Sequence, residues 1–229
     1  MVDIFDEVSE DLRADQARLL LKRYGGLLVV LAILIVVAAG GWQYWRYRQT
    51  QEREAVAAEF LAAMRTASPR VESSAGSREA EDAYARLAAS GPAGYRTLAR
   101  LREAALKAGS DLPGALALWN QVAADPAADQ QLRDLADLLW AQHQVDSGDP
   151  AAVQARLGPL TAPGNFWRPL ALETQAWLLL RTGDTGGAKT ILRSLVSEPN
   201  GPDGVRTRAG ALLARLGEPI ETKAAGTSG

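Results

Sequence analysis

From Tyr24 through Trp45 the chain carries no charged residue, and the body of this run, Gly25 to Trp45, reads GGLLVVLAILIVVAAGGWQYW. As a helix, its 22 residues extend roughly 33 Å at about 1.5 Å each, against a hydrocarbon layer roughly 30 Å thick. Ten of them are Leu, Ile or Val, each worth about 0.3–0.6 kcal/mol near a helix centre, so insertion gains on the order of 3–6 kcal/mol from these side chains. The run predicts one transmembrane helix over 24–45. Lys22 and Arg23 precede it, and Arg46, Tyr47 and Arg48 follow it. Tyr24, Trp42 and Trp45 are expected to anchor it at the two interfaces, where amphipathic rings collect.

A cleaved signal peptide is the rival reading of the same run, with Leu27 to Val37 as its apolar core and Val37-Ala38-Ala39 as a small-residue cleavage site. The leader opposes it. Six acids (Asp3, Asp6, Glu7, Glu10, Asp11 and Asp15) stand in the 23 residues ahead of the run, where a signal peptide has a short basic segment. Residues 1–23 are therefore expected to form a cytoplasmic tail, a short helix with Ile4, Val8 and Leu12 on one face. Arg13, Arg18, Lys22 and Arg23 precede the span and Arg46, Arg48 and Arg53 follow it. That small excess before the span favours an N-terminus in the cytoplasm, with the large domain outside it, periplasmic in a Gram-negative cell.

With 25 basic and 27 acidic residues interspersed and a net charge of −2, the chain has no basic field of the kind nucleic acid requires. Cysteine is absent, which excludes disulfides, thiolate catalysis and Cys-based metal sites. There is one histidine, and neither a glycine-rich phosphate loop nor a metal-ligand spacing. No cofactor, metal or small-molecule substrate is expected, and no enzymatic activity. His143 is read as structural or superficial, and Ser74 to Ser77 as loop rather than as the elbow of a hydrolase.

Beyond the span, Arg46 to Ala67 holds neither Gly nor Pro, and Val56, Phe60 and Met64 form a stripe. Residues 46–77 are accordingly read as a helical extension followed by a flexible linker rich in Ser, Gly and Pro. From 78 to 217 an internal repeat emerges. Three units align on an Asp that follows a Gly: Gly109-Ser110-Asp111, Gly148-Asp149 and Gly183-Asp184. Four residues on stand Ala115, Val153 and Ala188; eight on, Trp119, Leu157 and Leu192; eleven on, Val122, Leu160 and Leu195. Each unit closes on a proline, at Pro126, Pro163 and Pro199, and successive Asp residues are 38 and 35 apart. Each Gly is expected to end a first helix and each Asp to cap a second, the small residue at +4 letting the pair approach. Thr207 to Leu216 then reads as a capping helix and 218–229 as a disordered tail.

In these residues the chain resembles the tetratricopeptide repeats, whose period is about 34, although the Tyr expected late in the first helix is absent. The resemblance implies an all-α fold: one N-terminal transmembrane helix followed by an α-solenoid of helical hairpins. The opening Val2-Asp-Ile-Phe-Asp-Glu-Val8, the tryptophan-rich exit of the span, Gly94-Tyr-Arg-Thr-Leu-Ala-Arg100 and Pro163-Gly-Asn-Phe-Trp-Arg168 extend the likeness. Taken together, they resemble membrane-anchored tetratricopeptide-like proteins related to the ancillary subunit of the bacterial Sec translocon. That likeness implies a single-pass inner-membrane protein with a periplasmic repeat domain. Its implied partners are translocon subunits, periplasmic chaperones and unfolded secreted proteins. An envelope-assembly or cell-division scaffold that binds one folded partner is the alternative.

Stacked helical hairpins line their inner groove with first helices. In register, the third unit offers Leu170, Glu173, Trp177 and Leu180, the first Arg96, Ala99, Glu103 and Leu106, and the second Leu135, Leu138, Gln142 and Val145. Arg96, Glu103, Gln142, Glu173 and Trp177 are the candidate partner-binding residues. Reversing the charge of Glu173 or Arg96 is expected to leave stability nearly unchanged if both are exposed there. Trp119 and Trp140 are expected to fill gaps between paired helices.

Overall fold

The computed structural model describes residues 4–67, 74–199 and 201–218, with side chains described from Val30 onward except at Ala32, Gln49, Glu52, Arg53, Ser74 and Ala75. Among the described residues there are nine α-helices: α1 (Ile4–Thr66), α2 (Ser74–Ser90), α3 (Ala93–Lys107), α4 (Leu112–Ala123), α5 (Gln130–Gln144), α6 (Pro150–Leu160), α7 (Arg168–Arg181), α8 (Thr185–Ser197) and α9 (Asp203–Arg215). The chain divides into two units, 1–55 and 56–229.

The first unit contains α1 up to Ala55. Ile33, Leu34, Ile35, Val36 and Val37 are consecutive, so they point to every side of the helix, and each is 58–70% exposed. Trp42 and Trp45 are also exposed, with ring centroids 5.8 Å apart. Among the described residues no helix is long and apolar enough to cross a membrane. The opening of the uncharged run, Tyr24 included, lies outside the described side chains.

The second unit is a stack of helical hairpins. Residues 56–66 of α1 belong to it, because the Phe60 ring meets Tyr84 of α2 edge-on at 5.4 Å and Tyr95 of α3 at 5.9 Å, and Ala63 is buried. The end of the segment read as an extension thus packs against α2 and α3. Helix α2 itself begins at Ser74, inside the stretch read as linker. Its apolar residues Ala80, Ala83, Tyr84, Leu87 and Ala88 recur at helical spacing and are all buried. One face therefore packs along the whole helix and carries the first turn, 74–77, with it.

Thereafter α3 pairs with α4, α5 with α6 and α7 with α8, while α9 closes on α8; α5 also touches α7, and α7 touches α9. The hairpin turns follow the repeat. Asp111 accepts a hydrogen bond from Gly114 N, Asp149 from Ala151 N and Ala152 N, and Asp184 from Gly187 N, each capping a second helix. Such caps offer an acceptor to amides that lack an intrahelical partner. Of the three glycines only Gly183 takes a positive φ, 90°. There Gly183 N bonds to Leu180 O and Asp184 N to Leu179 O, the paired closure of a left-handed helix end. Gly148 serves by size instead, since a Cβ there would meet Gln144 O at 2.9 Å.

All nine residues at +4, +8 and +11 are at most 2% exposed. They seed a succession of apolar clusters along the stack rather than one central core, as stacked repeats that contact only their neighbours require. Trp119 fills the space among α3, α4 and α5, and Trp140 is half-buried beneath the Arg156 guanidinium, 4.1 Å from its ring. His143 is exposed and lies against Trp119 at 4.6 Å between rings, with Nδ1 2.8 Å from Leu139 O.

Candidate functional site

Helix α7 carries two of the candidate residues on one face, and its ends explain its placement. Pro169 stands in the first turn, where a missing amide is harmless. At the other end Arg181 donates through Nη2 to Gly148 O at 2.8 Å, tying α7 to the turn between α5 and α6.

On that face Glu173 occupies the register position held by Ala99 and Leu138, which are 0% and 1% exposed and belong to the core rather than to a groove. Glu173 is buried too, at 8% exposed. Arg208 of α9 donates to it twice, Nε to Oε1 and Nη2 to Oε2, each at 2.6 Å. The expectation of an exposed groove carboxylate is therefore corrected: the next element in the stack is α9, and its guanidinium covers the face that Glu173 presents.

Trp177, one turn further along, is 44% exposed. It stands over an open cleft of about 310 Å³ between α7 and α9, walled by Leu192, Ala209 and Leu212 with Arg208 and Arg215 beside them. A second hollow of about 320 Å³ adjoins it, sharing Glu173, Trp177 and Arg208 and adding Gln142, Val145 and Thr174. Gln142, Glu173 and Trp177 thus lie together along these adjoining hollows.

Arg96 and Glu103 do not join them. Both lie on α3, Arg96 half-exposed and Glu103 buried. Glu103 approaches Lys107 at 3.7 Å, and Lys107 bonds to Glu81 of α2 at 2.8 Å. Burial pushes the Glu103 carboxyl above its ordinary value, Lys107 opposing the shift and Glu81 adding to it.

Arg208 and Arg215 escaped sequence reasoning, which treated their helix only as a cap. A signal was present: they are seven residues apart, two turns of helix, and so share a face. Arg215 has no ion-pair or hydrogen-bond partner among the described residues, and Nη1 of Arg208 has none either. Among the described residues no group of three or more His, Cys, Asp or Glu is placed to hold a metal ion.

No curated protein and no solved structure matches the chain. A family does: the Tetratricopeptide repeat-like domain matches residues 19–198, which takes in both the uncharged run and the hairpins. By that match, and by three Asp-capped hairpins whose +4, +8 and +11 positions are closed to solvent, the chain belongs to the tetratricopeptide repeat-like domain family.

Proposed function

We propose that this protein is a non-enzymatic membrane scaffold, anchored once through residues 24–45, that presents its repeat stack to protein partners outside the cytoplasm. Tetratricopeptide repeat-like domains serve protein–protein interaction. What supports the anchor is the uncharged run of 22 residues and the exposure of its consecutive Ile, Leu and Val side chains on every side of α1. A helix apolar all round has no stable place in water, since each such side chain left exposed forgoes about 1.5–3 kcal/mol of burial.

The stack faces the periplasm of a bacterial inner-membrane protein, beside the Sec translocon, and links it to periplasmic chaperones or to secreted proteins still unfolded. Support for this comes from the sequence likeness stated above and from the basic excess before the span. On this reading the protein is expected to resist carbonate extraction at full mass, and a reporter fused after Gly229 is expected to be active only when exported; a soluble product shortened by about 40 residues, or a fusion active only in the cytoplasm, would overturn it. Photocrosslinking in membranes, followed by detergent purification, identifies the neighbours. Translocon subunits and chaperones dominating the adducts supports the reading. A cell-division or envelope-assembly complex in their place establishes the alternative scaffold.

A further inference from the structure

We propose that the cleft between α7 and α9 takes an extended partner segment carrying an acidic side chain close to an aromatic or branched aliphatic one; this rests on the protein-binding reading above. Glu173 is the only carboxylate among the described residues that line the cleft, and Arg208 neutralises it through two hydrogen bonds. Among the described residues Arg215 is unpaired and Nη1 of Arg208 has no partner, so the residues lining the cleft carry a net positive charge on two exposed arginine side chains. Beside them the 44% exposed Trp177 ring and the Leu192, Ala209 and Leu212 wall offer an apolar seat. Guanidinium recognises carboxylate with directional hydrogen bonds, and an aromatic face supplies contact area at small entropic cost. The two hollows adjoin at Glu173, Trp177 and Arg208, so an extended segment that follows both also passes Gln142 and Thr174.

The proposed occupant is a segment of a protein partner. The test uses the full chain in detergent and two fluorescein-labelled peptides, Gly-Ser-Asp-Phe-Glu-Leu-Ser-Gly and its counterpart with Lys in place of Asp and Glu. Fluorescence anisotropy is expected to show the acidic peptide binding at least about tenfold tighter than the basic one, the margin shrinking as salt rises. Arg215→Glu and Trp177→Ala each weaken it at least about tenfold, while Arg215→Lys retains most of it. Helical circular dichroism unchanged in these variants excludes misfolding, as expected of exposed positions. Equal binding of the two peptides, no binding, or indifference to both variants overturns the proposal. Affinity that rises about tenfold when 219–229 are removed makes the tail the occupant and also overturns it. A photocrosslinking residue in place of Ala211, which lines the cleft, or of Arg96 separates this from the broader reading. Partner adducts from position 96 alone defeat the cleft and spare the scaffold; adducts from neither defeat the scaffold.

Discussion

Glu173 and Arg208 are 35 residues apart in the chain and joined by two parallel hydrogen bonds of 2.6 Å. The Glu173 side chain is 11% exposed, whereas that of Arg208 is 57% exposed. The pair fastens the last helix to the third hairpin at a position where the other units place Ala99 and Leu138.

Removing one partner leaves the other unmatched, so Arg208→Ala is expected to destabilise the full chain by about 1–3 kcal/mol, and Glu173→Lys by at least as much. Glu173→Leu combined with Arg208→Met restores most of the loss, because an apolar pair suits that register position. Denaturant unfolding followed by circular dichroism measures all three. A double variant as unstable as Arg208→Ala would show that the ion pair, rather than the shape of the site, holds α9 in place.

Ala188 is wholly buried where α8 approaches α7, and Ala188→Leu is expected to cost about 1–3 kcal/mol through overpacking. Arg96→Glu, at a half-exposed position, is expected to change stability by at most about 0.5 kcal/mol. Thermal midpoints of the two variants measured side by side distinguish a packing position from a surface one.

At Gly183, with φ of 90°, a side chain opposes the left-handed backbone. Gly183→Ala should therefore lower stability by about 1–2 kcal/mol, while Gly109→Ala, at a φ open to any residue, should have less effect than that. Equal losses at the two positions would contradict the helix-end geometry.

Stability should also respond to pH in an unusual direction at Glu103. Its carboxyl is raised above the ordinary 4.5, chiefly by burial, with Lys107 and Arg100 opposing and Glu81 adding to the shift. The folded state therefore holds the proton more tightly than the unfolded one. The stability that Glu103 contributes is fully present below 4.5 and declines as pH rises through the raised folded value. Burial raises Asp137 as well, against the pull of Arg156, and it acts in the same sense. Glu103→Gln should flatten this decline in thermal midpoints recorded from about pH 4 to about pH 7. An unaltered profile would assign the dependence elsewhere.

The repeat was legible in the sequence because its determinants are short-range. An Asp before a helix satisfies amides within three residues of itself, and the +4, +8 and +11 positions share a helix face by geometry alone. Asp111, Asp149 and Asp184, and the nine buried residues that follow them, needed no knowledge of the fold. Neighbouring helices decided the rest. Residues 56–66 read in the sequence only as a helical extension of the span, whereas in the fold Phe60 packs against Tyr84 and Tyr95. Leu138 and Ala99 have the spacing of groove residues but are buried, Ala99 against α2 and Leu138 against α6 and α7, and Glu173, at the same position, is covered by α9. Periodicity states which side chains share a face. Only the element stacked against that face determines whether it meets solvent, an apolar surface or a guanidinium, and that contact is made between residues far apart in the chain.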